Sequence, residues 1–591
     1  MHTNSIVPRR AWVRPLTALF GVGCVALGAT LIFRPFRSLS VLVLLVGIAA
    51  IVTAIAAGTA ARRTRSKLDH AVAMGWLIVG IVVLAWPDLT VRGVALVVGI
   101  GMVANGASEL LGVTRGSPDM RLASLLRGVA HVAFGLLALA WPDVTLLVVA
   151  VVFGARTVLF GIALTVVALR RGDETAPTTS AVEDHTRHRP PALARTKNVV
   201  TSAVALLVAV TLGGISAQLN EGEPAVDDFY DAPNDIPTAP GVLLRSERFT
   251  RTIPDDADAW RILYTTTDDD GDAALASAIV VAPAVRSGAL PVIAWSHGTT
   301  GVDRTCAPSV LAEPLGSGAF FVLDEVMTEG WALVATDYAG LGTAGPHPYL
   351  IGEGEGHSVL DAVRAARSLR DVSLADETVV WGHSQGGHAA LWTGQVASSY
   401  APDVPLAGVA ALAPASDPPG LVGNLYDTPG GSIFASYVLT AYAATYADVD
   451  LNDYVAPTAR VTVRELAQRC LGEPAVLASV LTSLATDMSV FDADLRKGPL
   501  AERLKQNRPV GPVDAPLLIA QGESDVLVVP DVQAEYAGAR CDSGQPLEYR
   551  TYRGRDHVGL VAADSQLIPE LVAWTRDRLS STNPQDDCGK L

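Results

Sequence analysis

The chain alternates between two hydrophobic patterns, and the switch near residue 217 divides it. Before that point apolar residues run without interruption for about 20 positions at a time, the length that crosses a bilayer as a helix. The runs lie near residues 12–33, 39–60, 70–86, 90–113, 122–141, 144–169 and 198–217, which predicts seven spans. The first is read as a retained span, because six further runs follow and no small-residue cleavage site stands near its end. After residue 217 the apolar runs shorten to five to seven positions and alternate with helical stretches. Ala276–Ala282, Pro291–Ser296, Trp331–Asp337, Thr378–Gly382, Ala407–Leu412 and Leu517–Gln521 read as strands buried on both faces. That pattern predicts an α/β domain with a mostly parallel sheet.

Charge sharpens the division. Of 591 residues, 50% are hydrophobic and 18% charged, which excludes a disordered or collagen-like chain. The net charge of −16 is the sum of +11 over residues 1–217 and −27 over the remainder. The acidic half is unsuited to nucleic acid. In the apolar half, Arg9, Arg10 and Arg14, then Arg62, Arg63, Arg65 and Lys67, then Arg115 and Arg121, then Arg170, Arg171, Arg187, Arg189, Arg195 and Lys197 all fall on one side of a seven-span arrangement. Positive loops stay in the cytoplasm. The N-terminus is therefore expected inside and residues 218–591 outside, with residues 171–197 as a cytoplasmic linker. Cys306, Cys470, Cys541 and Cys588 form an even set in the outer half, as an oxidising compartment allows. The expected pairs are Cys306 with Cys470 and Cys541 with Cys588.

The first six runs repeat. Pro35, Pro87 and Pro142 stand at hairpin turns 52 and 55 residues apart, the last two in the near-copies Ala85-Trp86-Pro87-Asp88 and Ala140-Trp141-Pro142-Asp143. Gly28, Gly80 and Gly135 precede these prolines by seven positions, and Gly47, Gly99 and Gly154 follow them by twelve. Small residues at matching depths let helices approach closely in lipid. The pattern, over residues 12–170, resembles the HdeD type of acid-resistance membrane protein, which implies a six-span domain of three helical hairpins. Glu109, Arg127 and Arg156 are its intramembrane ionisable residues, candidates for function or for snorkelling at helix ends.

Candidate chemistry lies in the outer half. Gly382-His383-Ser384-Gln385-Gly386 follows the strand ending at Trp381 and precedes the helix-forming stretch His388–Ser398. A serine on such a sharp strand-to-helix turn is presented above the sheet edge, and the glycines stand where side chains would clash. A serine hydroxyl needs a base, a group to orient the base, and donors for an oxyanion. In chain order the acid comes next, and Asp525 stands just past the strand Leu517–Gln521; Glu523 and Asp531 flank it, the latter at an expected helix start. His557, the only histidine after His388, is the expected base. His297 and His383 are expected to serve local hydrogen bonding. Gln385 supplies one expected oxyanion amide, and Thr299 or Thr300, in Ser296-His297-Gly298-Thr299-Thr300-Gly301, supplies the other.

These residues, with Cys306-Ala307-Pro308-Ser309, Asp337-Tyr338-Ala339-Gly340-Leu341-Gly342, the helix Ser358–Arg367 and the Asp525-to-Pro530 stretch, resemble the secretory lipase family of α/β-hydrolases over residues 226–580. The resemblance implies Ser384, Asp525 and His557 as a triad, carboxylic esters including triacylglycerols as substrates, and a helical lid. About 100 residues separate Leu412 from Pro516, too many for an ordinary loop. Ser432–Ala447 and Pro474–Ala485 within them have helical apolar spacing, as a lid at about 413–516 requires. The expected protein is a membrane-embedded serine ester hydrolase acting on lipid or other esters without metal or organic cofactor. The alternatives are a peptidase of the same fold and a non-catalytic membrane scaffold.

Overall fold

The computed structural model describes residues 13–33, scattered positions between 48 and 59, and residues 67–85, 87–111, 113–114, 117–169, 192–219, 225–314 and 323–591. The chain forms two compact units, one of Met1–Gln218 with Ala456–Thr462 and the other of Leu219–Val455 with Val463–Leu591.

The first unit is helical: α1 (Val13–Phe33), α2 (Lys67–Ala85), α3 (Pro87–Leu111), α4 (Pro118–Ala140), α5 (Pro142–Leu169) and α6 (Ala192–Leu219). Proline opens α3, α4 and α5, a first-turn position where its missing N–H costs nothing. Among the described residues, Pro118–Ala140, Pro142–Leu169 and Thr196–Leu219 are long and apolar enough to cross a membrane, and Thr17–Ile32, Ala73–Ala85 and Val98–Leu111 are shorter apolar helices. Most of the expected span 39–60 and most of the linker 171–197 lie outside the described residues.

Glycines make the helix seams. A Cβ on Gly28 would come within 2.5 Å of the Gly154 carbonyl, and one on Gly154 within 2.8 Å of the Gly28 carbonyl. One turn pair further along the same seam, a Cβ on Gly161 would meet the Gly21 carbonyl at 2.5 Å. The α3–α4 seam repeats the device through Gly99 with Gly135 and Gly106 with Gly128. The outgoing helix of the second hairpin thus packs on the ingoing helix of the third, and the outgoing helix of the third returns to α1. Backbones this close gain dispersion contacts that bulkier side chains forbid.

The second unit is built on one nine-stranded sheet: β1 (Leu243–Phe249), β2 (Ala257–Thr267), β3 (Ala273–Pro283), β4 (Leu290–Ser296), β5 (Ala332–Thr336), β6 (Leu374–His383), β7 (Leu406–Leu412), β8 (Leu517–Gly522) and β9 (Glu548–Tyr552), in the order β1-β2-β3-β5-β4-β6-β7-β8-β9. The six strands from β5 to β9 in this order pair in parallel, and β1 to β3 add an antiparallel edge. Both faces are covered. Ala294 and Val380 point into one core with α7 (Gly352–Ala366) and α8 (Gln385–Tyr400). Trp295, Val379 and Trp381 point into the other with Leu571 and Trp574. Between β7 and β8 the long segment is helical and includes α9 (Gly431–Thr445) and α10 (Val476–Thr486); α11 (Pro530–Asp542) and α12 (Leu567–Leu579) follow. Disulfides join Cys306 to Cys470 and Cys541 to Cys588, with Cα separations of 5.2 and 5.3 Å. The first ties the loop after β4 to the helical segment, and the second holds the C-terminal tail to α11.

Candidate active site

Ser384 sits between β6 and α8 with φ 61° and ψ −119°, a left-handed conformation costly for a non-glycine residue. Its neighbours hold it there. The Ser384 N–H donates to the Leu412 carbonyl at 2.9 Å, and its carbonyl accepts the amides of His388 and Ala415, both at 3.1 Å. A Cβ at Gly382 would overlap the Gly386 carbonyl, and one at Gly386 the Ser296 carbonyl, so neither position tolerates a side chain.

His557 Nε2 is 2.8 Å from Ser384 Oγ, and His557 Nδ1 is 2.7 Å from Asp525 Oδ2. Asp525 is buried in the turn after β8. Its Oδ1 accepts the amides of Leu527 and Val528 at 2.9 and 2.8 Å, and its Oδ2 also accepts from Gln521 Nε2 at 3.3 Å. A carboxylate so placed is an acceptor for the Nδ1 proton, which leaves the Nε2 lone pair facing the serine hydroxyl. Such a series can take the hydroxyl proton as the oxygen attacks a carbonyl carbon. The two flanking acids stand apart from it. Glu523 is exposed and accepts from Thr551 Oγ1, and Asp531 is exposed in the first turn of α11.

His383 supports His557 from beneath. Its buried ring lies 4.8 Å from the His557 ring, and its Nε2 donates to the His557 carbonyl at 2.9 Å. Burial, reinforced by the nearby His557, pushes the His383 pKa down to about 3, so it stays neutral. His297 is also buried, its pKa lowered to about 4 by desolvation, with Nδ1 2.6 Å from the Gly298 carbonyl.

The loop after β4 lies against the serine, where the space beside Gly298 is bounded by His383 and the Ser384 Cβ. Thr299 and Gln385 line the same small cavity as Ser384, and Thr299 Oγ1 is tied to the Tyr349 hydroxyl at 2.8 Å. As the first residue of α8, Gln385 has no intrahelical acceptor for its N–H. Thr300 is buried and turned elsewhere, its carbonyl accepting the Leu471 amide at 2.8 Å. Leu421, Leu425, Phe434 and Val438 of the segment after β7 roof the cavity, which has about 10 Å³ of free volume, room for at most about one water.

The sequence reading missed a network behind this cavity. The Gln385 side-chain amide donates to Glu355 Oε1 at 2.9 Å and lies 3.1 Å from His347 Nε2. Glu355 Oε2 pairs with His388 Nδ1 at 2.7 Å, and His388 Nε2 reaches the Asn507 carbonyl at 2.7 Å. Glu355 and His388 are fully buried, so the cost of desolvating them is met only by these bonds. The run Gly352-Glu353-Gly354-Glu355-Gly356 reads as a turn because of its glycines. The one available signal was Glu355 spaced one helical turn before the apolar face of Val359 and Leu360.

Comparison with known proteins gives two separate matches along the chain. Residues 318–587 match the Secretory lipase family, and residues 19–75, 71–130 and 126–180 match three copies of a short repeat of unknown function, DUF308. A probable inactive lipase of Mycobacterium tuberculosis (strain CDC 1551 / Oshkosh) is 26% identical over 60% of this chain and 82% of its own length. Lipase A of Moesziomyces aphidis is 24% identical over 66% of this chain and 89% of its own. A secreted triacylglycerol lipase of Malassezia globosa is 25% identical over 62% and 80%. Among solved structures, Candida antarctica lipase A in its closed state superposes with a TM-score of 0.55 at 22% identity, over 62% of this chain and 89% of that one, a likeness of fold.

Proposed function

We propose that this chain, which belongs through residues 318–587 to the secretory lipase family, is a membrane-anchored serine hydrolase of lipid or other carboxylic esters. The observation that carries the reading is the unbroken series from Ser384 Oγ through His557 to Asp525, with both links under 3 Å. One relative bears the name of an inactive lipase, so family membership alone does not decide activity.

In the proposed reaction Ser384 Oγ attacks the ester carbonyl as His557 Nε2 takes its proton. The tetrahedral oxyanion is met by the backbone amides of Gln385 and Thr299. Thr299 is preferred to Thr300 because it borders the serine cavity. His557 returns the proton to the leaving alkoxide, and a water activated by the same imidazole then cleaves the acyl-enzyme. Asp525 orients the ring and stabilises its cationic form. Leu421, Leu425, Phe434 and Val438 form the acyl-facing wall, and the 413–516 segment acts as a lid that shifts to admit substrate.

The membrane reading rests on the apolar helices and the DUF308 repeats. The arginine-rich loops support a cytoplasmic N-terminus and an extracytoplasmic hydrolase domain, in keeping with its two disulfides. The domain plan is a six-span region at 1–170, a linker at 171–197, a seventh span at 198–217 and the hydrolase at 218–591. The test is release of p-nitrophenol from acyl esters by membranes carrying the protein. Turnover that vanishes in His557→Ala supports the reading; turnover unchanged by that substitution overturns it, and cleavage of p-nitroanilides in preference to esters favours a peptidase.

A further inference from the structure

The helix α10 is built inside out. Along its 11 residues Ser479, Thr482, Ser483 and Thr486 are buried, while Leu477, Val480, Leu481 and Leu484 are 56, 36, 66 and 61% exposed. The hydroxyl face is accommodated inward, where Ser483 Oγ meets Ser432 Oγ of α9 at 2.5 Å and Thr486 Oγ1 donates to the Thr482 carbonyl at 2.8 Å. The outward face holds apolar side chains at the i, i+3, i+4, i+7 spacing of one helical stripe. A helix of a water-soluble domain turns that stripe to the core. Here it faces away from the protein, and no ionisable residue interrupts it between Ala475 and Thr486. Contiguous exposed apolar surface of this kind marks a docking site.

The geometry points to the α10 stripe as a bilayer-docking face, which settles into the acyl-chain boundary of a leaflet and keeps the hydrolase domain against its lipid. The tether chooses a bilayer over a protein partner, and two further observations bear on how the contact is made and where it lies. The domain follows directly on α6, a helix of span length and hydropathy, and β1 begins at Leu243, so a short tether holds it near a leaflet at high local concentration. The outer half carries −27, so contact with a leaflet has to come from apolar insertion and not from attraction to anionic lipid. Helix α10 also packs on α9, whose Phe434 and Val438 wall the serine cavity, so the lipid-facing side chains lie one helix away from the site. The inference rests on the membrane reading of α6 and is independent of catalysis in its first test.

That test uses the full chain with Cys24→Ser, reconstituted in phosphatidylcholine vesicles with brominated acyl chains. A fluorophore on Leu481→Cys is compared with one on Val285→Cys, which is 95% exposed in the β3–β4 loop at the opposite end of the sheet from Ser384. Quenching by the bromolipid at 481 but not at 285 is the expected result. Equal quenching in a protein that floats with the vesicles overturns the docking face, as does shielding at 481 that comes from a second copy without lipid quenching. Failure of the protein to float after alkaline washing strikes the membrane reading instead. As a second arm, Leu477→Ser/Leu481→Ser/Leu484→Ser should slow hydrolysis of a vesicle-borne ester by about tenfold or more while leaving a soluble short-chain ester within about twofold. Equal rates on the vesicle-borne ester would overturn the inference.

Discussion

Asp525 and Asp531 lie six positions apart, and the turn after β8 gives them different surroundings. Asp525 is buried, holds two backbone amides and meets His557 Nδ1, whereas Asp531 is exposed at a helix start, where an acid serves the helix end. Asp525→Asn should therefore reduce kcat by about two to four orders of magnitude, through the wrong imidazole tautomer, and Asp531→Asn should stay within about twofold of wild type. Steady-state ester hydrolysis decides between them, and the reverse ranking would move the acid to Asp531. A second residue-scale expectation concerns His347, whose pKa burial lowers from 6.5 to about 3. Between those values the unfolded chain binds a proton that the folded chain refuses, so this imidazole's contribution is complete above pH 6.5 and declines as pH falls below it. Asp269, raised to about 6 by burial, acts in the opposite sense below that pH, so the His347 effect is isolated by difference. The stability cost of His347→Gln should shrink by about 1–2 kcal/mol between pH 7.5 and 5. Denaturation midpoints of the full-length protein in detergent measure this, and a cost independent of pH would count against a buried neutral ring.

Secondary elements depend on what each face meets, and that also sets how much of the molecule was legible in its sequence. The strands β3 to β8 were readable because burial on both faces leaves continuous apolar runs. The outermost strand β1 was not, since Arg245, Glu247 and Arg248 interrupt it and its side chains are half exposed. The elbow around Ser384 was readable because its glycines are required by the sharp turn. The network of His347, Glu355, Gln385 and His388 was not, because its members meet only when α7 packs beside α8. Helix α10 shows a further limit: periodicity revealed its apolar stripe, but no spacing says whether a stripe faces a core or leaves it. Likewise, glycine spacing indicated tight seams in the helical unit without naming the partners. Gly154 now faces Gly28 across the α1–α5 seam, whereas a Cβ on Gly101 meets nothing within 4 Å. Gly154→Leu should accordingly cost about 1–3 kcal/mol in a detergent-titration unfolding assay, and Gly101→Leu should be close to neutral. Equal effects would dissolve the seam argument.

The whole molecule joins an apolar helical region of net charge +11 to an acidic hydrolase fold of net charge −27. The proposed orientation makes the two regions respond differently to protease. In shaved intact cells the 218–591 domain should be lost and the arginine-rich linker 171–197 protected. Protection of the hydrolase with cleavage of the linker would place Ser384 on the cytoplasmic side, with both disulfides in a reducing compartment. The central claim, that Ser384 is an activated nucleophile, is tested most directly without knowing the natural ester. Membranes are treated with a small fluorophosphonate, which forms a stable bond to an activated serine oxygen, and the adduct is located by peptide mass spectrometry. A single adduct in the outer domain is expected, on Ser384, lost in His557→Ala and retained in Asp531→Asn. An unmodified Ser384 in folded, lipid-reconstituted protein, or equal labelling with and without His557, would contradict it.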